Sequence, residues 1–136
     1  ARMGRKTALI TLDETRIGFL SCNPAVGGLA KGQLVKEIDA LGGIMGINTD
    51  KTGIQFKRLN ASNGPAVRSS RAQCDKPRYA TEMQKTLKNT ANLQILENEV
   101  AGLIVEKSKV LGVSLKDGNT LLSPSVVITS GTFLQA

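Results

Sequence analysis

Residues 93–129 read LQILENEVAGLIVEKSKVLGVSLKDGNTLLSPSVVIT. Upstream of Leu93 the apolar residues recur every three to four positions; from Leu93 onward they alternate. The alternation predicts strands at 93–96, 100–106, 110–116 and 120–122. Asp117-Gly118, between the last two, is a hairpin signal, because a tight type I′ turn needs positive φ at its central residues. Val126-Val127-Ile128-Thr129 is apolar without alternation, the pattern of a strand buried on both faces of a parallel sheet. A meander followed by such a strand defines an α/β sheet with an antiparallel excursion.

Working outward, Asp75 offers a carboxylate to cap a helix whose first turn tolerates Pro77. Tyr79, Met83 and Leu87 then form its buried stripe. Residues 54–59 alternate as a half-buried strand, 60–65 read as a turn around Asn63-Gly64, and 66–68 as a short return strand. A helix is predicted from about Ala30 to Leu41, with Leu34, Ile38 and Leu41 on one face and Gly42-Gly43 ending it. Residues 12–30 form a polar, glycine-bearing loop. Thr7–Thr11 reads as a short buried strand, and Ala1–Gly4 as the last turn of a helix closed by glycine. A helix ending into a strand this quickly is the middle of a βαβ unit. The chain is therefore expected to be a fragment, one incomplete domain over residues 1–136.

Composition limits the chemistry. The 136 residues contain no histidine, two cysteines and 3% aromatics. This segment supplies no His-based catalytic pair or metal site, and two cysteines cannot build a disulfide scaffold or a four-Cys zinc site. No metal is expected. Forty per cent apolar residues support a core, and no run approaches membrane-spanning length. A soluble protein of a reducing compartment is expected, with no membrane partner. The whole net charge of +7 falls in residues 51–90, where Lys51, Lys57, Arg58, Arg68, Arg71, Lys76, Arg78, Lys85 and Lys88 stand against Asp75 and Glu82. Such a window fits a polyanion, and equally a solvated helix face.

Three motifs carry candidate chemistry. Asn23-Pro24-Ala25-Val26-Gly27-Gly28 precedes a helix and offers backbone N–H groups to an anion or the edge of a flat ring; it also reads as a plain helix-entry turn. It is not a Walker A loop, since Lys31 is followed by Gly32-Gln33. Cys22, close to a helix start and to lysine, reads either as a nucleophile of lowered pKa or as a small buried hydrophobe. Cys74 reads as structural. Gly64-Pro65-Ala66-Val67-Arg68 with Arg71 places two cations after a tight turn, suited to phosphate or to solvent.

Taken together, the stretches 21–28, 31–43, 53–68, 71–73 and 127–134 make the chain resemble the GidA (MnmG) family of tRNA uridine-modifying flavoenzymes, over essentially its whole length. The resemblance implies a Rossmann-like FAD-binding domain of the two-dinucleotide flavoprotein type, with a β-meander and a small insert, lacking its first strand and glycine-rich turn. It implies an enzyme that adds a carboxymethylaminomethyl group to C5 of the wobble uridine. Methylene-tetrahydrofolate and NADH would serve alongside FAD, with tRNA as substrate, a GTPase partner subunit, a homodimeric parent and a cytoplasmic location. The segment alone is expected to be inactive.

Residue by residue, Cys22 matches the family's suspected catalytic cysteine. Asn23, Pro24, Gly27, Gly28, Asn60, Gly64 and Pro65 match loops near the flavin. Val100 matches the position meeting the adenine end, and Gly131 and Thr132 the turn closing over the dinucleotide. Lys57, Arg58, Arg68 and Arg71 would meet the tRNA. Gln33 stands where relatives carry His, Cys74 and Pro77 where Ala and a helix former are usual, and Thr11 where many FAD proteins hold a ribose-binding acid. The rivals are a flavin- and folate-dependent tRNA uridine methyltransferase, a non-catalytic basic RNA-binding module and a general flavoprotein reductase.

Overall fold

The computed structural model describes residues 1–131. The elements are β1 (Thr7–Thr11), β2 (Ala25–Gly27), α1 (Lys31–Ala40), α2 (Met45–Thr52), β3 (Gly53–Leu59), β4 (Ser69–Cys74), α3 (Lys76–Lys88), β5 (Leu93–Glu97), β6 (Val100–Glu106), β7 (Lys109–Leu115) and β8 (Thr120–Leu122). Contacts divide them into two compact units, one of residues 1–7 and 14–93, the other of residues 8–13 and 94 onward.

In the first unit, β2, β4 and β3 form an antiparallel sheet in that order. β4 is central: Val26 faces Ala72 across one ladder and Phe56 faces Ala72 across the other. Its sequence, Ser-Ser-Arg-Ala-Gln-Cys, has little intrinsic strand preference, and pairing on both sides is what holds it extended. The core is Val26, Ala72, Cys74 and Tyr79, with Leu20, Val35 and Met83 against it. Tyr79 and Met83 are the predicted stripe of α3. That helix is capped as expected, the Arg78 N–H donating to Asp75 Oδ1 at 3.0 Å, which satisfies one of the free donors of its first turn.

Under this core lies a polar layer. Asn48, Thr49 and Thr52 of α2 are buried beside Cys74 and Tyr79. Asn48 donates to the Tyr79 carbonyl at 3.0 Å, and Thr52 to the Asn48 carbonyl at 2.7 Å. Burial pushes the Cys74 thiol up from its ordinary value, against opposing hydrogen bonds from Thr52 and Thr49. Burial likewise raises the Tyr79 phenol.

In the second unit, Asn98 N–H donates to the Thr11 carbonyl at 2.8 Å, and in the first, Thr7 N–H donates to the Asn92 carbonyl at 2.8 Å. The partners ascend together, so β1 and β5 run parallel. β6, β7 and β8 form the predicted meander, antiparallel throughout, with Val113 and Leu115 of β7 buried. Gly118 takes the left-handed conformation (φ 88°), while Asp117 does not, so the hairpin forms without the two positive φ values of a type I′ turn. Asp117 also accepts from the backbone and side chain of Asn119 and from the side chain of Asn98, which hold its carboxyl below the usual range.

Several expectations are corrected. Residues 126–129 are not a strand: Val127 is 83% exposed and no neighbouring strand pairs with them among the described residues. Apolar composition favours a strand only where a ladder partner exists. The return strand begins at Ser69 rather than Ala66, because Pro65–Val67 is a 3-10 turn. The positive φ of the preceding turn falls on Asn60 (53°), not on Gly64. The Leu34, Ile38 and Leu41 stripe of α1 stays largely open, Leu41 at 90%, while Gly32 and Val35 face inward. Ala1–Gly4 is a turn.

Candidate functional site

The site begins with how α1 is joined to the sheet. Gly28 N–H donates to the Ser70 carbonyl at 2.9 Å, and the Gly28 carbonyl accepts from Gly32 N–H at 2.8 Å and from the Ser69 hydroxyl. The same hydroxyl also lies 3.2 Å from Gln33 Oε1. It has one proton to donate, and the closer Gly28 carbonyl takes it. Gln33 Nε2 reaches the Arg68 carbonyl at 3.2 Å and the Ala66 carbonyl at 3.5 Å. The end of the 21–28 loop is thus fastened to the end of the 60–68 loop. Gly27 is required here. Its φ is 90°, and a Cβ would strike the Ser70 carbonyl.

The second loop is braced internally. Asn60, at φ 53°, donates through Nδ2 to the Val67 carbonyl at 3.2 Å, and Arg68 Nε donates to the Asn63 carbonyl at 2.8 Å. Asn tolerates that left-handed backbone because its short polar side chain bonds locally.

Between α1, α2 and the sheet opens a cleft of about 680 Å³. Its walls include Lys36, Lys57, Arg58, Arg68 and Arg71, with Asp50 as their acidic counterpart. The four cations singled out from the sequence all border this cleft, Lys57 and Arg71 from the face of the sheet opposite Arg58, and Gly27 and Pro65 of the two loops stand on its walls. Lys57 and Arg71 are directly opposite each other in the β3–β4 ladder. Among the described residues, Lys36, Lys57, Arg58 and Arg71 form no ion pair. A cleft of unneutralised cations attracts phosphates.

Other candidates fall elsewhere. Asn23, Pro24, Gly28, Asn60 and Gly64 flank the cleft along the chain without lining it. Cys22 is exposed, and β2 stands between it and α1 in the chain, so the helix begins nine residues after it. The loop before it is held by Gln84 Nε2, which donates to the Thr15 and Ile17 carbonyls at 2.9 and 3.2 Å, and by Lys76 Nζ, 4.1 Å from the Phe19 ring centroid. Val100 opens β6 and Gly131 lies at φ 62°, both in the second unit. Thr132 lies outside the described residues. Reasoning from sequence did not single out Lys36, Phe56 or Asp50 as cleft residues. They come from three successive elements, α1, α2 and β3, and only the packing of these elements brings them together.

No group of three or more His, Cys, Asp or Glu able to hold a metal occurs among the described residues, and no helix there is long and apolar enough to cross a membrane.

These features define an α/β protein of Rossmann-like type with a β-meander and a small antiparallel insert bearing a basic cleft. The chain matches the family described as glucose inhibited division protein A over residues 1–136, and it belongs to that family. It is 55% identical over 135 residues to the tRNA uridine 5-carboxymethylaminomethyl modification enzyme MnmG of Nitratiruptor sp., covering 99% of this chain and 22% of that protein. The MnmG of Endomicrobium trichonymphae is 53% identical over 135 residues, with 99% and 23% covered. The structure of Aquifex aeolicus GidA superposes with a TM-score of 0.92 at 53% identity, over 98% of this chain and 22% of that one. The chain thus spans about a fifth of the length of the curated relatives it matches.

Proposed function

We propose that this chain is part of the FAD-binding domain of a tRNA-modifying enzyme that installs a carboxymethylaminomethyl group on C5 of the wobble uridine. The observation that carries the reading is the cleft, which sets Lys57, Arg58, Arg68 and Arg71 beside Gly27 and Pro65. Cations for a polyanion and glycine-bearing backbone for a flat cofactor then occur on neighbouring walls. Methylene-tetrahydrofolate and NADH as co-substrates, a GTPase partner subunit, a homodimeric parent and a cytoplasmic location belong to the same proposal.

The fit to a flavin is supported by backbone shape. A Cβ added at Gly28 or Gly64 would meet nothing within 4 Å. A planar ring can approach those bare Cα positions, and any side chain there would fill the space. Asn23, Pro24, Gly27, Gly28, Asn60, Gly64 and Pro65 are the residues that would hold it. Val100, Gly131 and Thr132 would hold the rest of the dinucleotide. When bound, FAD supplies the redox chemistry needed to reduce and transfer a one-carbon unit. The chain's own contribution is positional. The Gln33 and Ser69 hydrogen bonds fix the two loops against each other. Lys57, Arg58, Arg68 and Arg71 hold the RNA phosphates. Cys22, exposed in its loop, presents a thiol to the substrate as nucleophile.

The test uses the full-length protein that contains this sequence. Cys22→Ser is expected to abolish tRNA modification while flavin absorbance is retained. Unchanged modification removes Cys22 from the mechanism. A protein that purifies colourless and takes up no added FAD, yet binds tRNA, returns the chain to the non-catalytic RNA-binding reading.

A further inference from the structure

Among the described residues, Phe56 is the only aromatic side chain on the cleft walls, and it is 60% exposed. It stands exposed among cations. Its position is nonetheless set. A Cβ built at Gly53 would strike the ring at Cζ and come within 2.9 Å of Cε2. The ring therefore lies across the bare backbone of Gly53, backed on one side and open on the other. Arg58 follows two residues later on the same face of β3, roughly 7 Å along the strand. Lys36 and Arg68 also line the cleft, with Asp50 the acid among the lining residues, whereas Lys57 and Arg71, paired across the ladder, project from the other face of the sheet.

An aromatic platform flanked by cations suits a base and its phosphates. Paired RNA does not offer this: its bases are stacked on one another, and its deep major groove is closed to side chains. An apolar protein surface is also a poor match, because covering Phe56 would strip water from the surrounding cations without replacing it.

We infer that the cleft receives an unpaired, unstacked nucleotide of the RNA, its base lying on Phe56 and its phosphates on Arg58, Lys36 and Arg68. The inference rests on the nucleic-acid reading of those cations given above, and it narrows the ligand from a tRNA surface to a splayed-out segment.

The experiment uses the full-length protein, a short single-stranded RNA carrying 2-aminopurine, and a blunt RNA duplex. Stacking of 2-aminopurine on Phe56 should change its emission on binding. Phe56→Leu is expected to weaken single-strand binding about tenfold, within the range for loss of base–aromatic stacking. It should abolish the emission change and leave the salt slope and duplex binding unaltered. Phe56→Trp should restore both affinity and signal. Gly53→Ala, which displaces the ring without deleting it, should behave like Phe56→Leu. Arg58→Ala should weaken binding with a shallower salt slope.

Wild-type affinity and signal in Phe56→Leu, with Arg58→Ala still weakened, would overturn the stacking inference and leave the nucleic-acid reading standing. Unaltered affinity and slope in both Lys57→Ala and Arg58→Ala would overturn that reading as well. A change of oligomeric state in Phe56→Leu with RNA binding intact would make the ring part of a protein interface, and the inference would fail.

Discussion

Replacing Gly32 by alanine should destabilise the junction of α1 with the sheet, against the general rule for helices. Alanine inside a helix is ordinarily about 1 kcal/mol better than glycine, and Gly32 sits in the first turn of α1 without a left-handed backbone. The surroundings reverse the sign. A Cβ at Gly32 would strike the Ser69 hydroxyl and come within 2.7 Å of the Ser70 carbonyl and 3.1 Å of the Ser70 nitrogen. The hydroxyl can rotate away, but it then gives up its hydrogen bond to the buried Gly28 carbonyl side of the junction. The Ser70 backbone belongs to the central strand and can yield only by shifting the ladder. Overpacking of this kind costs about 1–3 kcal/mol. After the smaller first-turn gain from alanine, a net loss of about 1–2 kcal/mol remains, a factor of roughly 5–30 in the opening equilibrium. Hydrogen exchange on the full-length protein reads this locally. The amides of Gly28, bonded to the Ser70 carbonyl, and of Cys74, bonded to the Pro24 carbonyl at 2.6 Å, should exchange faster by that factor. Gly102→Ala is the control, since its Cβ would meet only Ser114 Oγ at 3.4 Å, and it should leave these amides unchanged. Adding Ser69→Ala should rescue Gly32→Ala only in part, because the Ser70 carbonyl stays in place. Unchanged or slower exchange in Gly32→Ala would refute the steric reasoning.

Other outcomes follow from the same packing. Asp75→Ala removes the acceptor for Arg78 N–H and should cost about 1 kcal/mol, read as faster exchange in the first turn of α3, with Asp75→Asn losing less. The two thiols should differ sharply toward iodoacetamide: Cys22 is exposed and reacts in the native protein, whereas Cys74, 2% exposed, reacts only on unfolding. Because burial raises the Cys74 thiol, its protonated form is favoured in the folded state. Its contribution to stability is fully present below the pKa of an unfolded cysteine and is lost as pH rises through the higher folded value. Cys74→Ala should flatten that alkaline loss in a pH series of denaturant midpoints. An identical slope in the variant would assign the loss to another group.

The elements legible in sequence are those whose determinants are local. Asp75, Pro77 and the Tyr79–Met83 spacing specify α3 within a few turns, and Asp117-Gly118 specifies its hairpin within two residues. β2 escaped notice because three residues between Pro24 and Gly28 carry no pattern; it is a strand only because Gln73, Ala72 and Arg71 lie opposite. α2 escaped because its inward residues are Asn48, Thr49 and Thr52, so hydrophobic periodicity sees no buried face. Residues 126–129 show the reverse error, an apolar run without a ladder partner among the described residues. For the site, the cations were legible as a charge window and the two glycine loops as motifs. Their meeting was not, since it depends on the pairing of β3 with β4, which no local pattern reveals.

The facing pair of Lys57 and Arg71 gives ionic strength two opposed jobs. Like charges directly across an antiparallel ladder repel by about 0.2–1 kcal/mol, so β3 is held to β4 under a built-in electrostatic load. Dissolved salt screens that load and tightens the sheet, while the same salt loosens any polyanion bound there. A phosphate seated between the two cations would do both at once, acting as a counterion to the fold itself. Occupancy and local rigidity are then coupled, and RNA should protect the β3–β4 amides most strongly in dilute buffer, where the bare strand is weakest.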